Sequence, residues 1–203
     1  MLGKFTCKLT SLPEHNLTHS MTITNKNELM VLGGHSFNQK SPNDKAKMCL
    51  IYKADEWRHH SMLNMKRAHS CAITMPDGIY VFGGQIFEPP RSHNSCEFLP
   101  NGQLHWNILD THIPGGIMMS HCVAISPFEI LFTGGSGSGK FSRRIMMFDT
   151  NTQIWTEKGE LIHGRWGHAS FRIGSFCAMT QKYAISAMTT KFDNSFCAMS
   201  FFL

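Results

Sequence analysis

Gly134-Gly135-Ser136-Gly137-Ser138-Gly139-Lys140 is the stretch that comes nearest to recognisable chemistry. Glycines spaced this way before a lysine can cradle phosphate on backbone amides, while a hydroxyl after the lysine holds Mg²⁺. The match fails twice. Phe141 occupies the hydroxyl's place, and Phe141–Asp149 reads as a strand where such a loop must open a helix. A second group, His19, His69, His121 and His168, falls at one position of successive repeats and could be taken for metal ligands. Equivalent positions around a ring lie many ångströms apart, so these imidazoles are read as partners of neighbouring backbone. Cys122 beside His121 is the eye-catching nucleophile–base pair, yet neighbours along a strand face opposite ways. A nucleophile needs a base and an orienting group, and no paired carboxylates stand in a suggestive setting. No catalytic residue, metal or cofactor is assigned, and the chain reads as a non-enzyme.

The glycines have another source. Met30-Val31-Leu32-Gly33-Gly34, Tyr80-Val81-Phe82-Gly83-Gly84 and Leu131-Phe132-Thr133-Gly134-Gly135 are one figure, an apolar strand running into a glycine pair, repeated at spacings of 50 and 51 residues. A period of that size marks a repeat architecture. His19, His69 and His121 precede the pairs by 14, 14 and 13 residues, and Trp57, Trp106 and Trp155 follow them, 49 apart. Each unit reads as four short strands; in the second these are Ser70–Thr74, Ile79–Phe82, Cys96–Leu99 and His105–Leu109. Pro76-Asp77-Gly78 and Asn101-Gly102 are the turns within it, and Asp149-Thr150-Asn151-Thr152 has the same role in the third unit. No stretch sustains a helical period. Their register makes the three tryptophans packing residues. Trp166 lies outside that register, between strands, and is read as exposed.

The repeat resembles the kelch repeat, in which a strand ends in Gly-Gly and is followed by a strand–turn–strand such as Met147-Phe148-Asp149-Thr150-Asn151-Thr152-Gln153-Ile154-Trp155. The likeness covers roughly residues 4–173. It implies an all-β fold, a kelch-type β-propeller of four-stranded antiparallel blades, with the first strand of each repeat lining a central channel. The expected layout is a last strand of a preceding blade at 4–18, blades at 19–62, 69–109 and 121–158, and a degenerate fourth blade or tail at 168–203. No Gly-Gly follows His168. Ser175-Phe176-Cys177-Ala178-Met179 instead recurs as Ser195-Phe196-Cys197-Ala198-Met199, so the last thirty residues read as foreign or eroded. Either the chain is a piece of a larger propeller, or it closes at four blades. In the closed form, residues 168–173, about 181–188 and about 195–202 give three strands, and Lys4–Leu9 gives the outer one. Galactose-oxidase-like enzymes also use kelch propellers, but no motif here carries their copper chemistry over.

The function must then sit in loops. Strand counting puts His35–Lys47, Gln85–Asn94, Ser136–Arg143, Met62–Ala68, Asp110–Ser120 and Gly159–Gly167 on one face. Kelch adaptors capture a partner peptide on that face. Here it holds Arg67, Arg91, His93, Lys140, Arg143, Arg165 and Trp166, a cationic bowl suited to a protein or acidic peptide. The expected function is therefore partner binding without catalysis, with substrate recognition for ubiquitin ligation as the adaptor role that the resemblance implies. A propeller cut from a larger kelch enzyme, or a degenerate kelch gene product, is the alternative. The net charge of +5 with 16% charged residues indicates neither a nucleic-acid tail nor disorder. No membrane span or signal peptide is read, and the location is expected to be cytoplasmic. The seven cysteines, an odd number with no CxxC, are accordingly expected to be reduced thiols.

Overall fold

The computed structural model describes residues 11–13, 18–35, 43–87, 90–116, 118–137, 140–173, 176–181, 184–191 and 195–201. Short apolar runs broken by Gly, Pro, Asn and Asp give short strands. The first sheet comprises β1 (Ser20–Ile23), β2 (Leu29–Leu32), β3 (Met48–Lys53) and β4 (Glu56–Met62), with a 3-10 turn at Asn43–Lys47. In the second, β5 (Cys71–Met75) and β6 (Gly78–Phe82) are followed by a two-stranded hairpin, β7 (Gln85–Phe87) and β8 (Pro90–Ser92). The sheet is then completed by β9 (Ser95–Pro100) and β10 (Asn107–His112). The third repeats that plan with β11 (His121–Ala124), β12 (Glu129–Thr133), a hairpin of β13 (Ser136–Gly137) and β14 (Lys140–Phe141), β15 (Arg144–Asp149) and β16 (Trp155–Glu160). The fourth comprises β17 (Ala169–Ile173), β18 (Phe176–Gln181), β19 (Ala184–Lys191) and β20 (Ser195–Phe201). All pairings within the sheets are antiparallel, and the innermost strands β1, β5, β11 and β17 pack side by side in that order.

Strand alternation decides which sheet each side chain meets. On the third sheet, Cys122, Ile130, Phe132, Met146 and Phe148 face back to Tyr80, Phe82 and Cys96 of the second. Val123, Leu131 and Ile145 take the opposite side with Thr133, whose Oγ1 meets Ser170 Oγ of the fourth sheet at 3.0 Å. The second sheet divides likewise: Ile79, Val81 and Leu99 go to the first sheet's Met30, Leu32, Cys49 and Ile51. The first two junctions are thus apolar seams between sheets neither of which could bury both faces alone.

A second system ties the sheets near the channel. The backbone amide of His69 donates to Thr18 O (2.8 Å), that of Met119 to His69 O (2.8 Å) and that of Gly167 to Met119 O (2.9 Å). All four residues are left-handed, with φ of 59°, 55°, 57° and 62°. This belt, not the histidines, fixes the repeat register. His69 lies on the belt, His19 and His168 one residue beyond it, and His121 two beyond. The expectation that the four histidines share one position is therefore corrected.

The glycine pairs serve the same joints. Gly33 and Gly134 have φ of 59° and 60°. A Cβ there would come within 2.3 Å of Arg67 O and 2.5 Å of Arg165 O respectively. The chain leading to the next sheet crosses where only a hydrogen fits. Two further expectations change. Among the described residues the fourth sheet takes four strands from the C-terminal segment, and the five-residue echo supplies β18 and β20, the two strands flanking β19. That segment thus gives four strands where an eroded tail or three strands were expected; the outer strand expected at Lys4–Leu9 lies outside the described residues.

Candidate functional site

The loop face is built on the hairpins that leave the second and third glycine pairs. On the third sheet, β13 and β14 pair Ser136 with Phe141 and Gly137 with Lys140. Residues 136–137 and 140–141 thus pair as strands, where a phosphate loop would have to open a helix. Ser142 N donates to Gly135 O (2.8 Å), Leu161 N to Arg143 O (2.6 Å) and Arg165 N to Ser142 O (3.2 Å). These bonds lay the 161–167 segment along the hairpin. Gly164 passes under Phe141 so closely that a Cβ would meet Phe141 O at 2.7 Å. Out of this frame project Phe141, 59% exposed, and Trp166, 46% exposed, with ring centroids 5.9 Å apart and planes inclined by 32°. Ile162 and Lys140 are exposed as well, Lys140 next to Phe141 in the chain. The result is an exposed aromatic platform held in place by main-chain bonds, with a lysine adjoining it in sequence.

Most of the predicted bowl is elsewhere. Arg67 is fully buried: its side chain enters the second sheet and forms an ion pair with Glu97 at 2.9 Å. Its Nη1 donates to Gly83 O (2.7 Å) and Ser95 O (2.9 Å), and its Nη2 to Ser95 Oγ (2.8 Å). Glu97 also accepts from the backbone amides of Asn64 (2.6 Å) and Met65 (3.1 Å). Burial draws the Arg67 pKa down, and the Glu97 carboxylate opposes that shift. Arg165 is buried as well, and burial likewise lowers its pKa. Both arginines were expected at the surface. Each follows a segment that tucks against a glycine pair, which turns the side chain inward. Arg143 bridges Glu160 (3.1 Å) and donates through Nε to Leu161 O (2.7 Å), so it braces the frame. Half-buried His93 faces Ser95 Oγ at 2.9 Å. Arg91 lies on β8, and its side chain is outside the described residues.

Two of the tryptophans reach toward neighbouring sheets. Trp106 Nε1 donates to Ser61 Oγ of the first sheet (3.0 Å), and Trp155 lies tilted 4.8 Å from Phe132 and Phe148 and edge-on 5.8 Å from Phe82 of the second. Trp57 is half-buried against Tyr52, 5.1 Å away.

At the channel, a cavity of about 270 Å³ is lined by His19, Ser20, Ser70, Cys71, Ser120 and His121, with Met21 and Ala72. His121 and His168 approach to 6.5 Å between ring centroids, and His168 Nε2 meets Thr133 Oγ1 at 2.8 Å. Burial lowers the pKa of both; for His168, with His121 and Arg165 contributing, it falls to about 4. Among the described residues no group of three or more His, Cys, Asp or Glu is placed to hold a metal ion. Cys122, on the opposite strand face from His121, meets Cys71 in a disulfide, with Cα atoms 6.4 Å apart. The expectation of uniformly reduced cysteines is corrected here. Strand alternation delivers the two sulfurs to one seam from adjacent sheets. Cys49 and Cys96 are free and buried, and burial pushes both thiols up to about 12.

Four-stranded antiparallel sheets set side by side about a channel define a β-propeller-like, all-β protein. Among solved structures, that of YjhT superposes with a TM-score of 0.78 at 16% identity, over 94% of this chain and 66% of that one. At that identity the likeness is one of fold. The chain accordingly spans less than two thirds of YjhT's length. No protein-family model matches the sequence, and no curated protein does. No helix among the described residues is long and apolar enough to cross a membrane.

Proposed function

We propose that this is a non-catalytic protein-interaction module that captures a partner peptide on the loop face of the third and fourth sheets. The Phe141–Trp166 platform is the observation that carries this reading. Large aromatic side chains held open by a main-chain frame lose little entropy on binding, and such residues dominate binding energy at interfaces. Lys140, adjacent to Phe141 in the chain, favours an acidic residue flanking an apolar anchor on the partner. The binding reading is kept, and its chemistry moves from a ring of arginines to one aromatic platform with a lysine adjoining it in sequence. Substrate recognition for ubiquitin ligation, the adaptor role that the kelch resemblance implies, is the form of this reading in which the captured partner is a ligase substrate.

The test is selection from a displayed library of linear peptides, followed by titration of the recovered peptides. Selected sequences are expected to carry an aromatic or aliphatic anchor next to Asp or Glu. Phe141→Ala with Trp166→Ala should weaken them at least tenfold, and Lys140→Glu several-fold. Arg58→Ala, on the exposed edge of β4, should leave affinity unchanged. Recovery of no peptide, or affinity indifferent to loss of both rings, would overturn the reading.

A further inference from the structure

We infer that the Cys71–Cys122 disulfide is a redox latch controlling the order of the loop-face platform. The inference rests on the interaction reading for its purpose, though not for its physical content. The bond ties the innermost strands of the second and third sheets across a sequence separation of 51 residues. Cys122 lies three residues after Met119, and Met119 is a joint of the backbone belt. Its amide donates to His69 O on the second sheet, and its carbonyl accepts from Gly167 N, the residue after Trp166. Its neighbour Met118 exchanges both backbone bonds with Ser136, at 3.1 and 2.8 Å, at the base of the hairpin that carries Phe141. One short segment therefore holds both halves of the platform, and the disulfide anchors that segment to the second sheet.

The latch also has an approach. Cys71, unlike Cys122, lines the channel cavity. A small dithiol entering there attacks Cys71 Sγ as its thiolate, forming a mixed disulfide and releasing Cys122 as a thiolate that takes up a proton. The second thiol of the reductant then closes on the first, which frees Cys71 as a thiol and leaves the reductant as a cyclic disulfide. Two electrons and two protons pass from the dithiol to the protein. The segment 118–122 then keeps its belt bonds but loses its covalent anchor.

The experiment uses the full chain, oxidised and after dithiothreitol treatment. Non-reducing peptide mapping of the oxidised protein should recover Cys71 and Cys122 in one linked pair. Amide hydrogen exchange should then accelerate at least tenfold on reduction at Met119, Ser136 and Gly167, while Val31 and Leu50 in the first sheet change little. A Cys71→Ala, Cys122→Ala protein should show the fast rates with no response to reductant. Free thiols at both positions after oxidising preparation overturn the latch. So do unchanged exchange on reduction and an equal rise at Val31 and Leu50, since the latter describes a global staple. Phe141→Ala with Trp166→Ala keeps the exchange response, so a failure of peptide binding counts against the platform alone.

Discussion

Arg67 shows how a single side chain can look like a binding group and serve as a strut. Its charge is satisfied by Glu97, two carbonyls and a hydroxyl, all shielded from water. Removing one member of such a pair strands the other. Arg67→Ala is expected to cost about 3–5 kcal/mol in urea unfolding, whereas Arg67→Met with Glu97→Leu should recover most of the loss. The sequence held one hint: Glu97 is a charged residue inside the apolar run Cys96–Leu99, on the side where Val81 and Leu99 meet the first sheet. The platform was half legible. Trp166 stood out because it broke the tryptophan register, but its partner Phe141 was read only as the residue that spoils a phosphate loop. Their meeting depends on Gly164 and on backbone bonds that no local pattern reveals.

The paired histidines belong to the same scale. His168 has its pKa lowered from the ordinary 6.5 to about 4 by burial, then by His121 and Arg165. A histidine with a depressed folded value binds its proton more readily when unfolded. Its contribution is therefore intact above pH 6.5 and is lost as pH falls from 6.5 toward 4. The expected loss is on the order of 3 kcal/mol across that window. Urea midpoints of the wild type should fall between pH 7 and 4.5, and His168→Gln should flatten that slope. An equal slope in both proteins would assign the acid sensitivity elsewhere.

At the scale of elements, the strand–Gly-Gly figure was legible because its cause is local: close approach and left-handed φ leave glycine no substitute. The hairpins β7–β8 and β13–β14 were read as plain loops, since two- and three-residue strands carry no period to detect. The fourth sheet was misread for a related reason. It lacks the glycine pair, and its echoed strands do not follow the long period. The belt was invisible because His69, Met119 and Gly167 share a backbone conformation but no side-chain chemistry. That conformation yields a clean test at Gly167, where a Cβ would meet nothing within 4 Å. Gly167→Ala isolates the cost of a left-handed L-residue and should lower stability by about 1–2 kcal/mol, read from denaturant midpoints with unchanged slope. A neutral result would mean that the belt relaxes at no cost.

Across the whole molecule, stability is a series of seams, and the outermost seam bears most directly on whether the fourth sheet belongs to the fold. Val123, Ile125, Leu131, Ile145 and Leu161 form a buried cluster on the side of the third sheet that faces β17. Burying one such aliphatic side chain stabilises by about 1.5–3 kcal/mol. The cluster as a whole is then worth on the order of 10 kcal/mol, comparable to the entire net stability of an ordinary domain. A chain ending at Gly167 keeps the platform residues but loses β17–β20, and with them the cover of this cluster and the Thr133–Ser170 bond. It is expected to bind an apolar dye strongly, to aggregate through its third sheet and to melt without cooperativity, while the full chain melts in one transition. Were the shortened chain to melt at the same midpoint without binding dye, the fourth sheet would be an appendage and the propeller-like core would end at the third.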